Sequence, residues 1–173
     1  FTAGWEHYAP WKTIDGMNVA PPHTPQIEVL AKGMLTPERV LDLVRNFVVY
    51  TGDGASLTKK VAKYHQYWAV NAAIESTIEA SGPNGDRRGG VVWHTTGSGK
   101  SFTMVFLTKA LVLHQNTQAC RVVVVTDRLD LEDQLARNFM NSGAFGSAVA
   151  TKKDGEKAKV GSGRELAKRI GQG

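Results

Sequence analysis

The run from Val91 to Ser101 constrains the fold of this 173-residue chain more than any other stretch. It begins with apolar residues, continues as Thr-Thr-Gly-Ser-Gly-Lys-Ser, and is followed by an apolar segment of helical character. Strand, glycine-rich turn and helix in this order are typical of a loop that cradles phosphate groups. The stretch therefore predicts a short buried strand that breaks into a phosphate-binding loop.

The residue types of this loop suit contact with a nucleotide and a metal ion. Its two glycines let successive backbone N–H groups point inward as an anion-binding nest, and a helix beginning at Ser101 directs its N-terminal dipole at the same phosphates. Lys100 can reach the β- and γ-phosphates and is the candidate catalytic residue, whereas the Ser101 hydroxyl is the candidate Mg²⁺ ligand. His94 replaces the first glycine of the general pattern. The candidate nucleotide-binding residues of the loop are Thr95, Thr96, Gly97, Ser98, Gly99, Lys100 and Ser101.

Composition limits the class of protein. A hydrophobic fraction of 42% fits a globular protein, and no apolar run approaches the ~20 residues of a membrane span. The chain begins at Phe1 without a leader pattern, so we expect an internal piece of a longer protein. Cys120 heads a valine run and is expected to be buried, which suits a reducing, cytoplasmic location.

The net charge of +5 is concentrated near the C-terminal end. Residues 152–173 carry seven basic and three acidic side chains, whereas the preceding 151 residues are nearly neutral. Such a segment can neutralise nucleic-acid phosphates, or it can be a solvated segment without a partner. The composition is compatible with both interpretations of this basic segment.

Before the loop, the chain predicts a linker and then helices. Residues 1–35 are aromatic and proline-rich, which disfavours regular structure, so they are expected to form the tail of a preceding domain and a linker. Thr36 and Pro37 mark a helix start, and residues 36–58 are expected to form a linker helix that ends near Val48–Tyr50, followed by a turn. A second helix is predicted from Lys59 to Glu79, before a loop at 81–86.

After the loop, the pattern alternates between helix and strand. Residues 102–114 predict a buried helix, and the β-branched run at 121–126 predicts a central parallel strand. A third helix is predicted to follow Asp127 and end near Gly143, whereas residues 161–164 are predicted to form a loop. The fold class is therefore α/β, with parallel strands and flanking helices, preceded by a mostly helical linker region.

Four stretches in a fixed order make a more specific pattern: Thr2–Trp5 with Pro10–Ile14, Lys63–Tyr67 with Ala69–Asn71, Val92–Thr95 with Gly97–Ser101, and Val125–Leu131 with Gln134–Leu135. In these stretches the sequence resembles the restriction (endonuclease and motor) subunit of type I restriction-modification enzymes, whose motor resembles superfamily 2 helicases. The resemblance implies a nuclease domain, two RecA-like motor domains, and partner subunits for methylation and specificity. This chain would hold the nuclease–motor junction, with residues 59–173 as the first part of a RecA-like P-loop domain.

The resemblance also implies residue roles. Gln66 matches the glutamine that reads adenine, and a carboxamide can both donate and accept the hydrogen bonds that adenine requires. Asp127 and Arg128 match a motif that lies at the DNA backbone in related motors. A rival interpretation places Asp127 on Mg²⁺ at the end of a Walker B strand, but no acidic residue follows it directly.

Three catalytic elements of such an enzyme are missing from the sequence. No Glu or Gln is followed two positions later by Lys, so we expect the nuclease centre to lie outside this chain. The later acidic motor motif and the arginine of a second motor domain are also absent, so this chain by itself is expected to hydrolyse essentially no ATP.

The loop residues predict an ATP·Mg²⁺-binding site, and the resemblance implies that the site is part of an ATP-dependent translocase of double-stranded DNA that also carries a nuclease. Two alternatives belong to other classes. A self-contained P-loop kinase or NTPase would need its remaining catalytic residues within these 173 positions. A non-catalytic DNA-binding or assembly module would bind DNA without responding to nucleotide.

Overall fold

The computed structural model describes residues 8–51, 58–117, 120–125, 135, 137–139 and 162–171. The helices with defined bounds are α1 (Gln26–Gly33), α2 (Pro37–Asn46), α3 (Tyr64–Ser81), α4 (Lys100–Leu113) and α5 (Gly163–Ile170). The strands are β1 (Val48–Thr51) and β2 (Thr58–Val61), and a 3₁₀ turn, Gln115–Thr117, follows α4. None of the described helices is long and apolar enough to cross a membrane.

Helix α1 corrects the prediction that residues 1–35 lack regular structure. Pro25 occupies its N-cap position, where the missing N–H costs no helical hydrogen bond. Glu28 and Lys32 form an ion pair one turn apart on its surface. A dense run of prolines thus ends where a helix can begin.

The predicted start of α2 is confirmed. Thr36 is the N-cap and Pro37 is the first helical residue, although the Thr36 side chain makes no cap hydrogen bond.

The residues on either side of 52–57, which were predicted to end one helix and begin the next, form the two antiparallel strands β1 and β2. Val48 pairs with Val61 and Thr51 pairs with Thr58, so Val48–Tyr50 is a strand rather than the end of a helix. The second helix begins at Tyr64 and not at Lys59, because Lys59–Val61 belong to β2. The strand is favoured here because β-branched residues fit a pleated, half-buried surface and Val49 is fully buried.

Helix α3 packs along α4 and holds the centre of the apolar core. The Phe47 ring lies 4.8 Å from that of Tyr67 and 5.8 Å from that of Phe106, and so connects α2, α3 and α4. Val70 and Val105 are completely buried in the same cluster. Helix α4 is less enclosed than predicted, since several of its apolar side chains remain exposed, among them Met104, Val112 and Leu113.

The segment before α1 packs against the first turns of α3. Trp11 is buried against Tyr64 and Tyr67, with ring centroids 6.4 Å and 5.8 Å away. Gln26 donates a 2.7 Å hydrogen bond to the carbonyl of Trp11. Within this segment the Asp15 carboxylate accepts hydrogen bonds from two backbone N–H groups, which hold its pKa far below the ordinary value.

The predicted parallel strands are not formed in the described residues. Residues 91–95 and 120–125 have no strand hydrogen bonding, and Val91 and Val125 are 92% and 78% exposed. A β-branched run becomes a strand only when a neighbouring strand satisfies its backbone N–H and C=O groups. The described sheet is the antiparallel β1–β2 pair. Cys120, predicted to be buried, is exposed for the same reason.

Two predictions near the C-terminal end have different outcomes. The helix predicted from Asp127 to Gly143 lies mostly outside the described residues, although Leu135 and residues 137–139 are helical. The loop predicted for residues 161–164 is wrong from Gly163 onward, where α5 begins. The Ser162 hydroxyl accepts a hydrogen bond from the Glu165 N–H and caps α5.

Candidate nucleotide-binding site

The backbone of the loop between residue 94 and α4 has the conformation that its glycines predict. Gly97 and Gly99 have φ angles of +80° and +87°, in the left-handed region that L side chains avoid. Gly99 is the N-cap of α4, which begins at Lys100, one residue earlier than predicted. The two glycines therefore turn the chain sharply from an extended segment into a helix.

The N-terminus of α4 leaves backbone donors available. The N–H groups of Phe102 and Thr103 bond to the carbonyl of Gly99. No hydrogen bond to another described residue uses the N–H groups of Gly99, Lys100 or Ser101. Consecutive unbonded N–H groups at a helix N-terminus are the ordinary backbone site for a phosphate group.

The ammonium group of Lys100 lies across the loop. Its Nζ atom donates 3.1 Å hydrogen bonds to the carbonyls of His94 and Thr95. The side chain is exposed, so these bonds compete with water and can be exchanged for stronger, charge-assisted bonds to phosphate. Lys100 is thus held at the loop, and it forms no ion pair with another residue that the structure describes.

Gln66 is buried beside the loop and joins two segments. Its Oε1 atom accepts a 2.9 Å hydrogen bond from the Lys63 N–H, which caps the start of α3, and its Nε2 atom donates a 3.0 Å bond to the Gly99 carbonyl. The side chain is 4% exposed. A carboxamide has two donor hydrogens and two acceptor lone pairs, so each end retains capacity for one further partner.

His65 contacts the same loop from the preceding position on α3. Its Nε2 atom lies 3.1 Å from the Ser98 carbonyl, and because a carbonyl only accepts, Nε2 carries the proton. The His65 ring meets the His94 ring edge to face, with centroids 4.9 Å apart at 88°. Sequence reasoning missed His65, although its place next to Gln66 was the available signal.

Two buried polar atoms near this histidine pair have no hydrogen-bond partner in the described structure, His94 Nδ1 and Ser98 Oγ. The pKa of His94 lies below its ordinary value because burial disfavours the charged ring, and the positive charges of His65 and Lys100 act in the same direction. His94 is therefore neutral near pH 7. His94 Nδ1 and Ser98 Oγ can therefore each form a further hydrogen bond at the side of the loop that faces the two histidines.

The remaining predicted site residues fall into two groups. Thr95 and Thr96 are exposed and Ser101 is half-buried at the start of α4, so all three are accessible from the open side of the loop. Asp127 and Arg128 lie outside the described residues, and so does most of the basic segment from Lys152 onward. No group of three His, Cys, Asp or Glu side chains that could bind a metal occurs in the part of the chain that the structure describes.

Comparison with known proteins links this loop to an ATPase. The family model of the SWI2/SNF2 ATPase matches residues 65–172, a range that begins at His65 and includes the whole loop. The matched range covers well over half of the chain. No solved structure matches the chain significantly.

Similar curated proteins are endonuclease subunits. The type I restriction enzyme HindI endonuclease subunit of Haemophilus influenzae is 42% identical over 80% of this chain, and the match covers 13% of that protein. The putative type I restriction enzyme MjaIXP endonuclease subunit of Methanocaldococcus jannaschii is 32% identical over 68% of the chain and 11% of its own length. A Staphylococcus aureus subunit is 27% identical over 65% of the chain. The chain thus spans about an eighth of the length of the first of these relatives.

Proposed function

Because the chain belongs to the SWI2/SNF2 ATPase family and is homologous to endonuclease subunits of type I restriction enzymes, we propose that it is the ATP-binding part of a DNA-translocating motor in such a subunit. One structural observation carries the proposal: the start of α4 offers three consecutive unbonded N–H groups, beginning at Gly99, beside the ammonium group of Lys100. That arrangement matches the charge and the oxygen geometry of a nucleotide's phosphates.

Each part of the loop has its own task in this proposal. The N–H groups of residues 99–101 bind phosphate oxygens, and Lys100 exchanges its two carbonyl partners for the β- and γ-phosphates. The Ser101 hydroxyl would hold Mg²⁺, which neutralises charge on the same phosphates when bound. Thr95, Thr96, Gly97 and Ser98 shape the open side of the loop.

Gln66 is proposed to read the adenine base. Its buried carboxamide already links Lys63 to Gly99, and the second hydrogen on Nε2 and the second lone pair on Oε1 match the adenine N7 and N6 groups. An adenine at this position would therefore contact a residue that is itself bonded to the phosphate loop. Base recognition and loop geometry would then depend on one side chain.

The motor would need structure that the described residues do not supply. We propose that residues 91–94 and 121–125 become neighbouring strands of a RecA-like parallel sheet, which would cover their exposed valines. Hydrolysis would further need an acidic motif to activate water and an arginine from a second motor domain. These elements, and the nuclease centre, are proposed to belong to the remainder of the subunit.

Double-stranded DNA is the proposed substrate of translocation, with methylation and specificity subunits as partners. Asp127 and Arg128 are proposed to lie at the DNA backbone, and the basic segment at 152–173 supplies positive charge for phosphate contacts. A non-catalytic DNA-binding module would share this charge. Of these two functions, only the motor also requires the nucleotide-binding loop.

The substitution Lys100→Ala in the full-length subunit tests the proposal. Loss of the cation that faces the γ-phosphate should abolish DNA-stimulated ATP hydrolysis and translocation while the fold survives, since the side chain is exposed. Lys12→Ala, which removes another exposed lysine, is the matched control and should change neither activity. A folded Lys100→Ala subunit with ordinary ATPase activity would overturn the assignment, and DNA binding that ignores nucleotide would favour the non-catalytic module.

A further inference from the structure

The Ser98–Gly99 peptide is held by one side chain. Among the described residues, the carbonyl of Ser98 has a single hydrogen-bond partner, the Nε2–H of His65, at 3.1 Å. The next carbonyl, that of Gly99, is bonded by Gln66 and also by the N–H groups of Phe102 and Thr103. Helix α4 therefore fixes the Gly99 carbonyl by itself, whereas the orientation of the preceding peptide depends on His65.

The orientation of that peptide decides where a phosphate donor points. In a planar trans peptide the C=O and N–H bonds point in opposite directions, and the described chain has no cis peptide bond. Because His65 draws the Ser98 carbonyl toward α3, the N–H of Gly99 points away from α3. Gly99 is free to adopt either orientation, since a glycine has few backbone restrictions.

We propose that His65 is a positioning residue for phosphate binding, which holds the Ser98 carbonyl and thereby aims the Gly99 N–H at the nucleotide. This inference rests on the proposed ATP-binding function of the loop and assigns a further residue to it. His94 has a supporting role. Its ring packs against the His65 ring, with centroids 4.9 Å apart, and so limits rotation of the His65 side chain.

This role also accounts for the departure of the loop from the general pattern. The first position of the pattern is usually glycine and here is His94. A glycine at this position would remove the His94 ring and leave the Tyr64 ring as the edge-to-face neighbour of His65 among the described residues. The two histidines, separated by 29 positions in sequence, thus form one unit that braces the loop.

The test uses the full-length subunit and two phosphate-bearing probes, inorganic pyrophosphate and ATP, with adenosine as a probe that lacks phosphate. His65→Phe keeps an aromatic ring but removes the donor, so pyrophosphate and ATP affinity should fall by about tenfold, the effect of one lost hydrogen bond. Adenosine affinity should not change. His65→Gln places an amide donor near the position of Nε2 and should restore most of the pyrophosphate affinity.

Controls separate a positioning role from a structural one. His65→Asn, whose shorter amide cannot reach the Ser98 carbonyl, should behave like His65→Phe and serves as the second variant if the phenylalanine does not fold. His23→Phe changes an exposed histidine elsewhere and should leave all three affinities unchanged. Equal loss of adenosine and pyrophosphate binding in the His65 variants would show general disruption and overturn the inference.

Lys100→Ala distinguishes failure of the inference from failure of the proposed function. If Lys100→Ala lowers pyrophosphate affinity and the His65 variants do not, the loop binds phosphate but His65 does not position it. If none of these variants changes pyrophosphate affinity, the loop is not the phosphate site, and both the inference and the proposed function are wrong.

Discussion

The Nε2 atom of Gln66 donates a 3.0 Å hydrogen bond to the carbonyl of Gly99 and lies 2.9 Å from the point that a Cβ atom on Gly99 would occupy. The same glycine has a φ angle of +87°. Two independent constraints therefore disfavour a side chain at position 99: the backbone conformation and the close approach of a buried amide. By contrast, a Cβ atom on Gly97 would meet no atom within 4 Å.

This contrast predicts different effects for two alanine substitutions. Gly99→Ala should destabilise the loop by about 1–3 kcal/mol, because left-handed strain adds to the displacement of Gln66, and should sharply weaken ATP binding. Gly97→Ala has a similar φ but open space, so it should incur the strain alone. Chemical unfolding and nucleotide titration of both variants measure this difference. Equal effects would mean that the Gln66 contact does not constrain the loop.

The proposed adenine contact predicts a change in base selectivity. Gln66→Ala should reduce the preference for ATP over GTP by about 1–3 kcal/mol, the value of a bidentate contact to one base. Gln26→Ala is a matched control, because its amide also donates to a backbone carbonyl, that of Trp11, but not at the loop. Competition constants for the two nucleotides provide the measurement. An unchanged ATP-to-GTP ratio in Gln66→Ala would exclude the adenine role.

The packing of the segment before α1 predicts a stability effect that is unrelated to nucleotide. A Cβ atom on Gly33 would lie 2.4 Å from the carbonyl oxygen of Thr13 and 2.8 Å from the Trp11 ring. Gly33→Ala should therefore destabilise the protein by about 1–3 kcal/mol. A Cβ atom on Gly163, in α5, would meet no atom within 4 Å. Gly163→Ala should therefore leave the stability of the protein unchanged or raise it slightly. Urea unfolding that ranks the two variants equally would contradict the packing.

The lowered pKa of His94 predicts a loss of stability in acid. The unfolded ring titrates near 6.5 and the folded ring below that value, so in this window the unfolded state binds more protons. Stability is therefore lost as the pH falls from 6.5 through the folded pKa. Thermal unfolding between pH 7.5 and 5.5 should show a smaller pH dependence in His94→Asn than in the unchanged protein. His23→Asn, at an exposed position, should retain the full dependence.

The basic segment predicts a salt effect on DNA affinity. If the lysines at 152, 153, 157 and 159 contact phosphates, changing them to glutamine should flatten the slope of log affinity against log salt by about 0.9 per lost contact. The order of bases in the duplex should matter little. An unchanged slope would indicate that the segment is solvated and makes no contact with DNA phosphates.

The sequence alone determined the features that depend on neighbouring residues. Gly97, Gly99 and Lys100 specify the loop because each contributes a backbone or side-chain property at a fixed spacing. Thr36 and Pro37 specify the start of α2 in the same way. The resemblance to type I restriction subunits also follows from local motifs, and it is confirmed by the similarity to the curated endonuclease subunits together with the match to the SWI2/SNF2 ATPase model.

Tertiary structure decided the features that join distant residues. The bond between His65 and Ser98 spans 33 positions, and no periodicity predicts it, because it exists only when α3 packs beside the loop. Lys59–Val61 became a strand for the same reason, since pairing with Val48–Thr51 outweighed helical propensity. The valine run at 122–125 shows the converse: its composition predicts a strand, but a strand forms only where another strand supplies hydrogen-bond partners.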